Sequence, residues 1–336
     1  MRTYLERLFF WHLANSGAII FLASATVYSM NSPLVGIEIG GTKLQLCVGG
    51  ASGEIAERYR YSVAKAEGGA GIRRQLEMAL AEIGSKTKMA AIGVGYGGPV
   101  DWQTGRIKCS HHIEGWNDFP LGAWLANLAQ AQVAVDNDAN VAALGETLHG
   151  AARGFSPSFY VTLGSGVGGG LVVDGKIYHG AAPGECEIGH IRLDKSGRIV
   201  ESSCAGWSVD AKVRAAMAAD PAGFLARHAA KLSGGEARLL GPALAVNDPA
   251  AVRILEETAD DLALALSHVS QLFHPQIIVL GGGLALLGEP LRAAVARALP
   301  AYIMRAHAPG PSIALAALGE DAVPVGALAL AAGVVG

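Results

Sequence analysis

Glu187, His190 and Glu201 are side chains of the kinds that grip hydroxyl groups, and they follow closely on the run Gly164-Ser-Gly-Val-Gly-Gly-Gly170. A glycine-rich reversal presents unpaired N–H groups and can cradle an anion such as a phosphate. The combination points to a place where phosphate and a polyol meet. A third kind of chemistry is available at Val133-Ala-Val-Asp-Asn-Asp138-Ala-Asn140, where a short strand ends in a polar cluster and a helix begins. Asn137 or Asp138 can cap that helix, whose positive end favours the carboxylate form. Asp138 then has two readings. Either it only caps, or it is a general base at the mouth of a cleft, of low pKa and therefore weak. Phosphoryl transfer would tolerate a weak base, because it asks mostly for positioning of the attacking hydroxyl.

The elements that would position these groups alternate along the chain. Phe159 to Leu163 and Leu171 to Val173 read as the two arms of a hairpin around the glycine run. Leu34 to Ile39, the turn Gly40-Gly-Thr-Lys43 and Leu44 to Val48 repeat that outline earlier, which suggests a duplicated lobe. Ile72, Leu76, Leu80 and Ile83 recur at helical spacing, with Gly84 placed as a C-terminal cap. The strand Ala90 to Val94 runs into the loop Gly95-Tyr-Gly-Gly-Pro-Val-Asp101, and Ser110 to Trp116 forms a second loop with two histidines. A long amphipathic helix over about Ala250 to Leu272 stops before Pro275 and delivers the strand Gln276 to Leu280, followed by Gly281-Gly-Gly283. Val323 to Val335 is expected to be a helix packing back on the first lobe. Strand, helix and strand in alternation predict an α/β layered fold.

Composition narrows the function. The chain has 336 residues, 51% hydrophobic and 16% charged, enough for a sizeable core divided into two lobes. A net charge of −3 without a basic stripe argues against nucleic acid as a partner. Cys47, Cys109, Cys186 and Cys204 form no CxxC pair, which fits a reducing compartment. Residues 1–33 differ in kind. Phe9 to Val27 is almost wholly apolar, preceded by Arg2 and Arg7, and contains Ala23-Ser-Ala25, which resembles a signal-peptide cleavage site. Glu6, His12 and Asn15 break the pattern, and Met30 stands just before the first clear strand. The expectation is an upstream extension of a cytoplasmic protein that begins near Met30, free of any membrane; an export signal and a single anchoring helix are the alternatives.

The series Ile37-Glu-Ile-Gly-Gly-Thr-Lys43, Gly97-Gly-Pro-Val-Asp101, Asp136-Asn-Asp-Ala-Asn140, Leu163-Gly-Ser-Gly-Val-Gly-Gly-Gly170, Glu187-Ile-Gly-His190 and Val279-Leu-Gly-Gly-Gly283 resembles the ROK family of sugar kinases and repressors, over essentially everything after Met30. The resemblance implies an actin-like ATPase, ribonuclease-H-like fold with a cleft between two lobes, residues 34–148 plus 323–336 and residues 149–322. It implies ATP, Mg2+ and a sugar as ligands, and a homodimer. Gly40, Gly41, Thr42 and Lys43 would form one phosphate loop, Gly164, Ser165, Gly166 and Gly168 the other, and Gly281, Gly282 and Gly283 would line the adenosine site. Gly98, His112, Asn137, Glu187, His190 and Glu201 would hold the sugar, with Asp138 accepting the proton of its attacking hydroxyl.

Three departures qualify the match. Glu38 stands where the family usually has Asp near magnesium. His112 stands where many family kinases have an Asn that contacts the sugar. The family's C-x-C-G-x-x-G-C zinc knuckle is replaced by Asp194 to Val200, so no zinc is expected, although Cys186, His190 and Cys204 could supply three ligands where a structural site wants four. The function implied is ATP-dependent phosphorylation of a hexose at its 6-hydroxyl, glucose first, with fructose, mannose, an N-acetylhexosamine or allose as other acceptors. A non-catalytic sugar-binding regulator is the alternative class; the family's repressors carry a helix-turn-helix domain ahead of the first glycine hairpin, and residues 1–33 are too few and too apolar to form one.

Overall fold

The computed structural model describes residues 33–335 apart from 111, 112, 183, 185 and 230–233. The apolar N-terminal segment and His112, both singled out from sequence, lie outside the described residues. Two five-stranded sheets organise the rest, and they share one strand order. The first is built from β1 (Leu34–Ile39), β2 (Lys43–Gly49), β3 (Ile55–Ser62), β4 (Ala91–Tyr96) and β7 (Gln132–Asn137), in the order β3-β2-β1-β4-β7. The hairpin β1–β2 is antiparallel, whereas β1, β4 and β7 run parallel. Between β4 and β7 the short pair β5 (Val100–Asp101) and β6 (Arg106–Ile107) projects as a separate ribbon.

The apolar runs of β1 and β4 are buried along almost their whole length because helices cover both faces, the usual state of parallel strands. Helix α1 (Gly68–Lys86) buries Ile72, Leu76, Leu80 and Ile83 in the same cluster as Trp116 and α2 (Leu121–Ala129). Gly84, expected as its cap, lies inside α1, which runs on to Lys86. On the other face sits α7 (Ala322–Val335). The sheet is notched for it: a Cβ on Gly36 would stand 2.8 Å from the carbonyl oxygen of Pro324, and one on Gly93 would collide with that of Ala327.

The second sheet, order β10-β9-β8-β11-β12, contains β8 (Ser158–Leu163), β9 (Val167–Val173), β10 (Lys176–Ile177), β11 (Ile277–Gly281) and β12 (Ser312–Leu315). Again the first hairpin is antiparallel and the next two neighbours are parallel. The glycine run therefore splits. Only Gly164 to Gly166 make the turn, while Gly168, Gly169 and Gly170 belong to β9. Their lack of side chains lets α3 (Asp138–His149) lie close, since a Cβ on Gly170 would be 2.7 Å from that of Ala143. Beyond α4 (Gly206–Ala219), the core is closed by α5 (Pro249–Phe273) and α6 (Glu289–Ala298). Asp248 caps α5 by accepting the Ala251 N–H at 2.9 Å, and Pro249 opens its first turn. His274, in the left-handed region at φ 48°, ends it before Pro275.

Helices α3 and α7 cross at two glycines. A Cβ on Gly145 would lie 2.5 Å from the carbonyl oxygen of Ala322, and one on Gly326 would collide with that of Val141. Among the described residues, no helix is long and apolar enough to cross a membrane.

Candidate active site

Ligands of parallel α/β sheets bind beyond the carboxyl ends of the strands, and here those ends carry the residues singled out above. In the first sheet, Ile39, Tyr96 and Asn137 finish β1, β4 and β7 side by side. Gly40 turns the chain with its N–H on the carbonyl of Lys43 at 2.9 Å, and the Gly97 N–H reaches the carbonyl of Ile39 at 2.9 Å. A Cβ on Gly97 would stand 3.3 Å from both Asp138 Oδ2 and the Ile39 carbonyl oxygen, so the three strand ends converge on Asp138.

The cap ambiguity resolves in favour of Asn137. Its Oδ1 accepts from the N–H groups of Ala139 at 2.9 Å and Asn140 at 3.4 Å, while its Nδ2 donates to the carbonyl of Gly98 at 3.3 Å. Asp138 is the first residue of α3 and free of that duty. Its acidity corrects the sequence expectation of a low pKa. Withdrawal from water and, next, the charge of Glu38 push its pKa from 3.8 up to about 7, against the pull of the α3 amides. Glu187 adds to the rise. The helix end is outweighed by burial beside other carboxylates, which leaves a carboxyl group that titrates near neutral pH.

Across from it, the turn Gly164 to Gly166 closes with its own N–H···O bond at 2.9 Å and receives the first amide of α4, Gly206 N–H on Gly164 O, at 2.8 Å. The positive end of α4 thus lies beside bare backbone, an arrangement suited to phosphate. Glu201, expected from the resemblance to hold the sugar, accepts the Val167 N–H with its Oε2 at 3.0 Å and so also braces the turn. Glu187 and His190 flank a single helical turn, half-exposed, with 4.0 Å between Glu187 Oε2 and His190 Nε2. Of the three glycines at the end of β11, Gly281, its last residue, packs on Tyr160, Gly282 packs on Leu163, and Gly283 faces open space. Cys204, considered above as a metal ligand, turns its thiol to the carbonyl of Thr258 at 3.6 Å inside the core, where burial pushes its pKa up to about 12.

Two networks of contacts escaped the sequence reading, although Glu38 and Lys43 in the first were singled out there for magnesium and phosphate. In one, Lys43 Nζ lies 3.1 Å from Glu38 Oε2, Gln45 Nε2 donates to the same carboxylate, and Arg58 bridges Gln45 Oε1 at 3.1 Å and Asp321 Oδ1 at 2.6 Å. Gln45 is fully buried. A polar chain thus runs from the first glycine turn to the start of α7. In the other, His179 Nε2 meets Asp136 Oδ2 at 2.6 Å. Gln45, Arg58, Asp321 and His179 carried no sequence signal, and Asp136 lay inside a quoted motif but without a role. The partners come from distant parts of the chain and leave no local spacing.

The comparisons with known proteins agree with this geometry. The ROK family model matches residues 34–334. A glucokinase from Halalkalibacterium halodurans is 33% identical over 306 residues, which cover 87% of this chain and 92% of that one. Among solved structures, a ROK family glucokinase from Streptomyces griseus in complex with glucose and AMPPNP superposes with a TM-score of 0.77 at 27% identity, over 90% of this chain and 100% of that one. A ROK hexokinase from Thermus thermophilus gives 0.72 at 29%, over 90% and 99%. The paired sheets are the actin-like ATPase fold, and the chain belongs to the ROK family.

Proposed function

We propose that this chain is an ATP-dependent hexokinase whose acceptor is the 6-hydroxyl of glucose. The observation that carries the reading is Asp138, a carboxyl tuned to about 7 at the point where three strand ends meet. A general base works best with a pKa near the operating pH. The sugar hydroxyl would hydrogen-bond to Asp138 Oδ2, and its proton would pass to that oxygen as the new oxygen–phosphorus bond forms and the bond from the γ-phosphorus to the β,γ-bridging oxygen of ATP breaks, releasing ADP. Asn137 Nδ2, Glu187 and His190 would orient the other hydroxyls. N–H groups of the turns at Gly40 to Lys43 and Gly164 to Gly166 would hold the phosphates and stabilise the charge on the transferred group.

Glu38 fits a place beside magnesium. It is a carboxylate with 15% of its side chain exposed, and its charge already opposes ionisation of Asp138, a repulsion that a cation would relieve. When bound, the metal neutralises charge on the phosphate oxygens. Dependence on ATP fits a cytoplasmic enzyme, and the glucokinase relative and the structure with glucose and AMPPNP support glucose and ATP over other pairs.

Purified protein tested with ATP, magnesium and a panel of glucose, fructose, mannose, N-acetylhexosamines and allose, with coupled detection of ADP, checks the reading. Glucose should give the highest kcat/KM. Sugar binding without ADP release from any hexose would make the chain a sensor and end the kinase assignment.

A further inference from the structure

Asp136, the residue before the α3 cap, is 2% exposed, and its carboxylate is fully engaged. Oδ1 accepts from the Asn137 N–H at 2.8 Å and from Asn140 Nδ2 at 2.9 Å, and Oδ2 meets His179 Nε2 at 2.6 Å. The other contacts of His179 tie in two further parts of the site. Its ring stacks on Trp102 with centroids 4.0 Å apart and planes 10° from parallel. Trp102 follows β5, directly after the loop that holds Gly97 and Gly98. On the other side, Gly184 at φ 85° packs its backbone on His179, where a Cβ would be 3.0 Å from that of the histidine. The Gly184 carbonyl accepts from Asn140 Nδ2 at 3.5 Å, and the chain then reaches Glu187 and His190.

We infer that His179 is a positioning residue of the sugar site, clasped between Trp102 and Asp136 so that the Glu187–His190 segment, the Gly97–Gly98 loop and Asn137–Asp138 keep a fixed spacing. The inference rests on the sugar-kinase reading above. The ring does more than fill space. An aliphatic side chain would occupy the same volume but would leave a buried carboxylate oxygen without its donor, and such a loss is felt at the groups the carboxylate aligns. None of these three side chains is placed on the reacting atoms, so their effect should fall on how well the sugar is held.

The test compares His179→Leu, which removes the donor, with His179→Gln, whose amide can still donate to Asp136, and with Trp102→Leu. His179→Leu should raise KM for glucose about 10-fold to 100-fold, the range for losing a hydrogen bond to a charged group. KM for ATP should move less than about threefold. His179→Gln should recover most of the loss, and Trp102→Leu should fall between. A His179→Leu enzyme with unchanged KM for glucose, or one with equal losses for sugar and ATP, would overturn the assignment. If the leucine variant does not melt cooperatively, Trp102→Leu decides by the same criterion. If the wild-type protein turns over no hexose, the kinase reading fails on its own. The clasp is then judged by amide hydrogen exchange in any folded variant lacking a contact: faster exchange at Ala139, Asn140 and Ile188 to His190 supports it, and unchanged exchange rejects it.

Discussion

The hairpins β1–β2 and β8–β9 occupy equivalent places in sheets of identical strand order, and their registers match residue for residue. Glu38 pairs with Gln45 in the first where Thr162 pairs with Gly168 in the second. The first hairpin thus carries a carboxylate held by Lys43, Gln45 and, through Gln45, Arg58. The second carries bare backbone, and its one carboxylate, Glu201, comes from elsewhere in the chain to brace the turn. On the proposed function, the same frame would serve two chemistries. Proton transfer and metal charge call for carboxylates held in place, whereas binding of phosphate calls for N–H groups with nothing in front of them. What separates the halves is the side chains beside each turn, since the strand order is common to both.

The largest test of that division is Asp138→Asn. Asn keeps the size and leaves the Asn137 cap untouched, so ligands should still bind while kcat falls by roughly 10²–10⁴-fold, the range for a lost general base. In the wild-type enzyme kcat/KM should rise with pH through about 7, because the active base is ionised, and the variant should lose that limb. The stability sign is opposite. The unfolded carboxyl ionises near 3.8 and the folded one near 7, so the stability it contributes is full below about 4 and lost as pH rises through 7. Asp138→Asn should therefore melt a few degrees higher than wild type at pH 8, and this margin should shrink at pH 5. Equal pH dependence of the two melting curves would remove the tuned-base argument.

Next in size is the crossing that joins the halves. A Cβ on Gly326 meets the backbone carbonyl of Val141, which cannot rotate away, so Gly326→Ala should cost about 3 kcal/mol or more in urea unfolding. Gly333 lies on the same helix with nothing within 4 Å, and Gly333→Ala should instead gain up to about 1 kcal/mol. Gln45→Leu comes third. It removes the link between Glu38 and Arg58 from a fully buried position, but both keep another partner, Lys43 and Asp321. A loss of about 1–3 kcal/mol is expected by the same measurement. No loss would mean that Lys43 alone holds the first hairpin's carboxylate.

The strands, the long helices and the glycine turns were legible because apolar period and turn chemistry are local. The split of Gly164 to Gly170 into turn and strand was not, since the demand for glycine at position 170 comes from Ala143 on a packed helix. Gly84 misled for a related reason: its own spacing suits a cap, yet α1 has room to continue over it to Lys86. Asp138 was legible as a carboxylate at a helix start, but its pKa depends first on burial and then on Glu38, 100 positions earlier, and no local pattern contains either. His179 and Arg58 were missed on the same grounds, because their partners are far away in the chain.

The smallest expected effect concerns Glu201, where the halves differ most plainly in construction. A carboxylate that grips sugar predicts that Glu201→Ala raises KM for the sugar and leaves ATP alone. The bond from Val167 N–H to Glu201 Oε2 at 3.0 Å predicts the reverse, because the residue it steadies is the first of β9 after the glycine turn. One hydrogen bond contributes about 1 kcal/mol net, so the turn should loosen modestly and KM for ATP should rise about fivefold. Glu201→Gln retains an acceptor for the Val167 amide and should lie close to wild type for ATP. Steady-state kinetics with each substrate varied in turn separates the two outcomes. A shift confined to the sugar would return Glu201 to the acceptor's side of the cleft and leave the second turn to be held by Gly206 and its own backbone.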